Sequence, residues 1–143
     1  MCEHHPVQMV TSKGKPTWTT KAAEMRPIFS DSNGVSHATV IWNPGFGRFL
    51  LTCYRSSANH LGVFEAPQPW GPWRTIAYDE KWGGLAAPSE GLSCDFPQKW
   101  MSADGLTLWC VFAVYGEGAK QGINAHDSLN LVRARLMPAG AAK

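Results

Sequence analysis

No run in this sequence approaches the ~20 apolar residues of a membrane-spanning helix, and no block of like charge interrupts it. The first absence removes a spanning helix. The second, with thirteen Lys and Arg against eleven Asp and Glu, leaves a net charge of +2 and no basic footprint for nucleic acid or an anionic membrane surface. Helical periodicity is almost missing as well. The one stretch of good helix formers, "KAAEM" at 21 to 25, is stopped by the proline of "RP" at 26 and 27, whose ring disfavours a helical residue before it. The N-terminal "MCEHHPVQMV" lacks the apolar core and small-residue cleavage site of a secretory signal, so the expected location is cytoplasmic. None of the four cysteines (Cys2, Cys53, Cys94, Cys110) stands in a CxxC pair, and Cys53 and Cys110 lie inside apolar runs. Buried free thiols acting as small hydrophobes are expected rather than disulfides.

What is present fits one domain over residues 1–143: 44% hydrophobic residues and seven tryptophans are enough to fill a core. Short runs of Val, Thr, Phe, Trp and Tyr alternate with Gly/Pro/Asn/Asp clusters about every ten residues, which makes the fold class all-β. Strands are expected at 36–42, 48–55, 60–66 and 73–78, a four-stranded meander spanning 36–78. A second blade-like set over 91–136 has strands at 91–95, 106–114 and 128–136. Pro44 and the glycines of "NPGFG" suit the first turn, and Asp-Gly in "SADG" suits a hairpin. "PVQMVT", "PTWTTK" and "PIFS" in the N-terminal segment 1–35 have the composition of an extra strand.

The middle run of each set, "RFLLTCY" and "LTLWCVF", is apolar throughout instead of alternating, which predicts burial on both faces. The two runs are separated by roughly 60 residues, at the long end of the periods of propeller blades. The residues leave open two propeller-like blades or a two-sheet sandwich with similar hairpins.

The succession "VSHATVIWNPGFGRFLLTCY", "LGVFEAPQPWGPWRTIAY" and "FPQKWMSADGLTLWCVFAVYG" resembles part of the glycosidase-like five-bladed β-propellers, a bacterial DUF4185 group related in fold to glycoside hydrolase families 43 and 32. The match covers about residues 27 to 136 and lies in the order of its hairpins and elbow. The resemblance implies two antiparallel four-stranded blade-like sheets in a chain about half a propeller long. It further implies that oligomerisation, as a homodimer or homotrimer, completes the ring.

Ligand sites of such propellers lie at the axis, where the innermost strands begin. The resemblance therefore directs attention to Asp31, Ser36 and His37 in the first set and Glu90, Cys94 and Asp95 in the second. Glycoside hydrolysis needs two carboxyl groups across the scissile bond, and Asp31, Glu90 and Asp95 are the candidate catalytic acids. None is carried over from a family motif, and Asp31 in "DSNG" also suits a turn. His37, Trp82 and Trp100 are candidate ligand-binding residues; Trp70 and Trp73 in the "PWGPW" elbow read as structural. The "CEHH" start matches no zinc spacing, and His126 with Asp127 falls in a glycine-rich loop without phosphate-binding context. No metal and no cofactor are expected.

Two functions follow. The first is a non-catalytic, propeller-derived protein that binds a carbohydrate or other small ligand at an oligomer interface. The alternative is a glycoside hydrolase-like enzyme whose site oligomerisation assembles, an inference from fold alone.

Overall fold

The computed structural model describes residues 7–10, 15–55, 60–80, 82, 90–115 and 129–137. The fold is all-β. Strands β1 (Val7–Val10) and β2 (Pro16–Thr19) form a hairpin of their own. Strands β3 (Thr39–Asn43), β4 (Arg48–Arg55), β5 (His60–Ala66) and β6 (Arg74–Asp79) form an antiparallel four-stranded meander. Strands β7 (Glu90–Asp95), β8 (Thr107–Tyr115) and β9 (Asn130–Arg135) form a second antiparallel sheet, in the order β7-β8-β9. This second sheet has three strands among the described residues, one fewer than a four-stranded blade, and both sheets are open. "KAAEM" makes only a 3-10 turn at Ala22–Glu24. Among the described residues no helix is long and apolar enough to cross a membrane.

The period of two along β4 sends its side chains to two different cores. Leu50 and Tyr54 face the three-stranded sheet, where they pack with Cys94, Phe96, Leu108, Cys110 and Phe112. Leu51 and Cys53 face away and pack with Phe64 beneath the segment at 27–36, whose Phe29 ring lies 4.5 Å from that of Phe64. This strand is therefore buried on both faces, as its continuous apolar run predicts. Its twin is not. On β8, Leu108, Cys110 and Phe112 are buried, but Trp109, opposite Arg133 and on the other face, remains 38% exposed. The expectation that Trp109 is covered from both sides is corrected, because the described residues include no counterpart of the 27–36 segment over this sheet.

Polar ties hold the two sheets in place. Thr52 Oγ1, buried between them, lies 2.7 Å from the Cys94 carbonyl oxygen and donates to it. Thr39 Oγ1 lies 2.7 Å from the same hydroxyl. The expectation of free thiols is corrected for Cys94 and Cys110, which form a disulfide between β7 and β8; Cys53 is a buried free thiol. Their nearness follows from register: Cys94 pairs with Phe112, so Cys110 stands two residues along on the same inward face. At the far ends of three adjacent strands, Glu65 of β5 is only 3% exposed and is held by Arg74 of β6 and, at 3.8 Å, by Arg48 of β4. A buried carboxylate without such cations costs several kcal/mol.

The two repeated turns meet. Asn43, with 0% of its surface exposed, donates from Nδ2 to the Gly105 carbonyl at 2.8 Å, and its Oδ1 accepts from the Phe46 amide at 3.1 Å. A Cβ on Gly45 would stand 2.3 Å from the Gly105 nitrogen, and one on Gly105, whose φ is +70°, would stand 2.1 Å from Asn43 Oδ1. "NPGFG" and "SADG" therefore pack backbone against backbone, with no room for a side chain at either glycine.

Two outcomes are expected. In urea unfolding, Asn43→Ala loses about 1–3 kcal/mol by orphaning buried backbone groups, and Gly45→Ala loses more than Gly47→Ala, which meets only the backbone strain of φ +64°, since its Cβ would meet nothing within 4 Å. The second concerns alkaline pH. Burial pushes the Cys53 thiol and the Tyr78 phenol up from their ordinary values, and the nearby Asp31 carboxylate adds to both. The folded state thus holds these protons more tightly than the unfolded chain. Their contribution is complete below the unfolded values, about 8.5 for the thiol and 10 for the phenol, and is lost as pH rises above them. The unfolding midpoint falls with pH in that range, and the fall is shallower in Tyr78→Phe.

Candidate functional site

The outer face of the three-stranded sheet, which no described element covers, exposes Trp100 and Trp109. Asp95, Val111 and Leu131 stand in one row across β7, β8 and β9, because Asp95 pairs with Val111 and Val111 with Leu131. In the next row Trp109 pairs with Arg133. Directly opposite residues share a face, so these five side chains occupy the side opposite the core. After β7 the chain turns through Phe96 and Pro97 into the 3-10 turn Gln98–Trp100, which brings Trp100 to the same place. Trp100, Trp109 and Leu131 enclose an open hollow of about 300 Å³.

Its chemistry is aromatic with a few polar groups. Trp100 is 40% exposed and Leu131 52%, so the walls present apolar surface to solvent. The Lys99 ammonium lies 5.6 Å from the centre of the Trp100 ring, a cation–π distance that steadies the indole. Asp95 Oδ1 is buried and has no hydrogen-bond partner among the described residues, although buried acceptors are normally satisfied. Arg133 is exposed. Two indoles and a guanidinium on one face suit a ring that is apolar on its flat side and hydroxylated at its edge.

The residues expected at a site are dispersed. Asp95 and Trp100 come together on this face. Asp31 lies on the other side of the molecule, where its Oδ1 accepts from the Asn33 amide at 2.8 Å in the turn expected from "DSNG". There it neighbours Tyr78, whose Oη accepts from Asn33 Nδ2 at 2.9 Å and lies 3.4 Å from His60 Nδ1. Since Asp31 stands with Cys53 on the outer side of one sheet and Asp95 on the outer side of the other, the two do not face each other within a chain. Glu90 begins β7 opposite Tyr115, and its side chain is outside the described part. His37 is exposed, with a left-handed backbone at φ 46°. Trp82 packs into the core, edge-on to Phe112 at 4.6 Å and to Tyr54 at 6.1 Å. Cys2, His4, His5, His126 and Asp127 lie outside the described residues. Among the described residues no group of three or more His, Cys, Asp or Glu could hold a metal ion.

Trp109, Leu131 and Arg133 are the site residues that the sequence hides. Trp109 sits inside "LTLWCVF", where every neighbour signals core, and only the alternation Leu108-in, Trp109-out, Cys110-in separates it.

The contrast among the tryptophans is measurable. Trp82→Ala costs about 3–5 kcal/mol in chemical denaturation as a core truncation, whereas Trp109→Ala and Trp100→Ala shift the midpoint by well under half of that. No protein-family model matches this chain, and neither a curated protein nor a solved structure matches it significantly.

Proposed function

We propose that this chain is a non-catalytic, propeller-derived binding protein that takes a carbohydrate at Trp100 and Trp109, in a homo-oligomer whose adjoining copy supplies the second wall of the site. The observation that carries the proposal is the pair of exposed indoles around a hollow of about 300 Å³ on a sheet face that no other described element covers. Stacking on an indole needs a flat apolar ring face, and the hydroxyls of a sugar would then meet the exposed Arg133 at the rim. The openness of the hollow fits one wall of a site better than a complete one. The order of the "NPGFG", "PWGPW" and "SADG" pieces supports the propeller origin, and the docked turns and face-to-face sheets fit it. The Cys94–Cys110 bond weighs against the cytoplasmic location expected from the N-terminus, because disulfides persist chiefly in oxidising compartments.

The test is a tryptophan-fluorescence titration with a panel of neutral and acidic oligosaccharides, run beside light scattering. A saturable response to at least one sugar is expected. Trp109→Ala weakens it by about tenfold or more, equivalent to about 1.4 kcal/mol or more. The scattering mass is expected to be that of a dimer or trimer and to fall in Trp109→Ala. Failure of every sugar to bind overturns the ligand, and a monomer at high micromolar concentration overturns the assembly.

A further inference from the structure

A seam runs between β6 and β9, the last strands of the two sheets. Leu61, Val63, Phe96 and Cys110 form the buried floor of a hollow of about 230 Å³, flanked by Ala77 of β6 and by Val132 and Ala134 of β9. A second hollow, of about 250 Å³, continues the first: Ala77 lines both, and along β9 the lining passes from Val132 and Ala134 to Arg135 and then Leu136. The space exists because alanines stand at 77 and 134, where the sheets elsewhere interlock through Leu50, Leu108 and Phe112. An apolar cavity of about 150 Å³ is already large enough to hold benzene, so the first hollow alone accommodates a hydrocarbon.

Charge gives the seam a direction. Arg135 lines the second hollow, so that end attracts an anion. Arg135 is exposed, and the Asp104 carboxylate is near enough to feel its charge. Val132 and Arg135 are three residues apart, about 10 Å along the strand. A chain of about eight to ten carbons, whose bonds of about 1.5 Å advance about 1.3 Å each in a zig-zag, covers that length.

We propose that this seam binds a medium-chain fatty acid, with the alkyl tail between β6 and β9 and the carboxylate at Arg135. The site is separate from the aromatic face and stands whether or not that face binds sugar. Each methylene taken from water tightens binding about fourfold, so affinity rises with tail length until the two hollows are filled.

Isothermal titration with decanoate below its micellar concentration tests the proposal. Saturable one-to-one binding is expected, weaker for hexanoate. Ala134→Leu and, as a second slot-filling variant, Ala77→Leu weaken it at least tenfold in protein whose circular dichroism is unchanged. Arg135→Ala weakens decanoate about tenfold and leaves 1-decanol unaffected, while Trp109→Ala changes neither. Absence of saturable decanoate binding overturns the proposal. So does unchanged affinity in a folded slot-filling variant, or an equal loss for decanoate and decanol in Arg135→Ala.

Discussion

The Asn43 amide joins two turns that would otherwise belong to separate sheets. Its Nδ2 is satisfied by the Gly105 carbonyl and its Oδ1 by the Phe46 amide, so one buried side chain serves both backbones. Everything near it depends on this closeness. Gly45 and Gly105 have no room for a Cβ, and with the turns docked Leu50 and Leu108 are brought into one core at 0% exposure. Thr52 repeats the device further along, reaching from β4 to the Cys94 carbonyl. Hydrophobic burial supplies most of the stabilisation between the sheets, but it is not directional. The amide and the hydroxyl set how the two layers are placed.

Two runs of similar composition meet different fates because of what lies beside them. The outer side of β4 is closed by the 27–36 segment, with Phe29 over Phe64 and the Ser36 carbonyl accepting from the Tyr54 amide at 3.2 Å. The outer side of β8 has no such cover among the described residues, and Trp109 meets solvent. Among the described residues, one outer face is thus finished and the other bare. The bare face gathers Asp95 and Trp100, and the finished face gathers Asp31, Tyr78 and His60 around a buried thiol.

Much of this was legible in the residues. The all-β class, the order of the seven strands of the two main sheets and the two glycine turns follow from composition and punctuation, since β-branched and aromatic runs between Gly/Pro/Asn clusters have few other solutions. Strand ends differ by a few residues where Ser36 and His37 approach β3 in irregular backbone. The docking of "NPGFG" on "SADG" was not legible, because an Asn at a turn ordinarily bonds its own neighbours and nothing local shows that a distant carbonyl competes for it. Nor was the Cys94–Cys110 bond, which depends on the register of β7 against β8. Glu65 gave no sign of burial, since its two arginines arrive from other strands. Of the candidate site, Asp95 and Trp100 were identified one by one, but not that they share a face, which only the pairing across Val111 establishes.

The difference between the finished and the bare face gives the chain a polarity that a symmetric sandwich lacks. Were copies to stack through these faces, the bare side of one would meet the strapped side of the next, an arrangement in which no patch contacts itself. Such head-to-tail contacts either close into a ring, when the rotation per copy divides a full turn, or continue as a filament. The angle at which two turns dock on one asparagine would then act at a larger scale, as the step of a rotation.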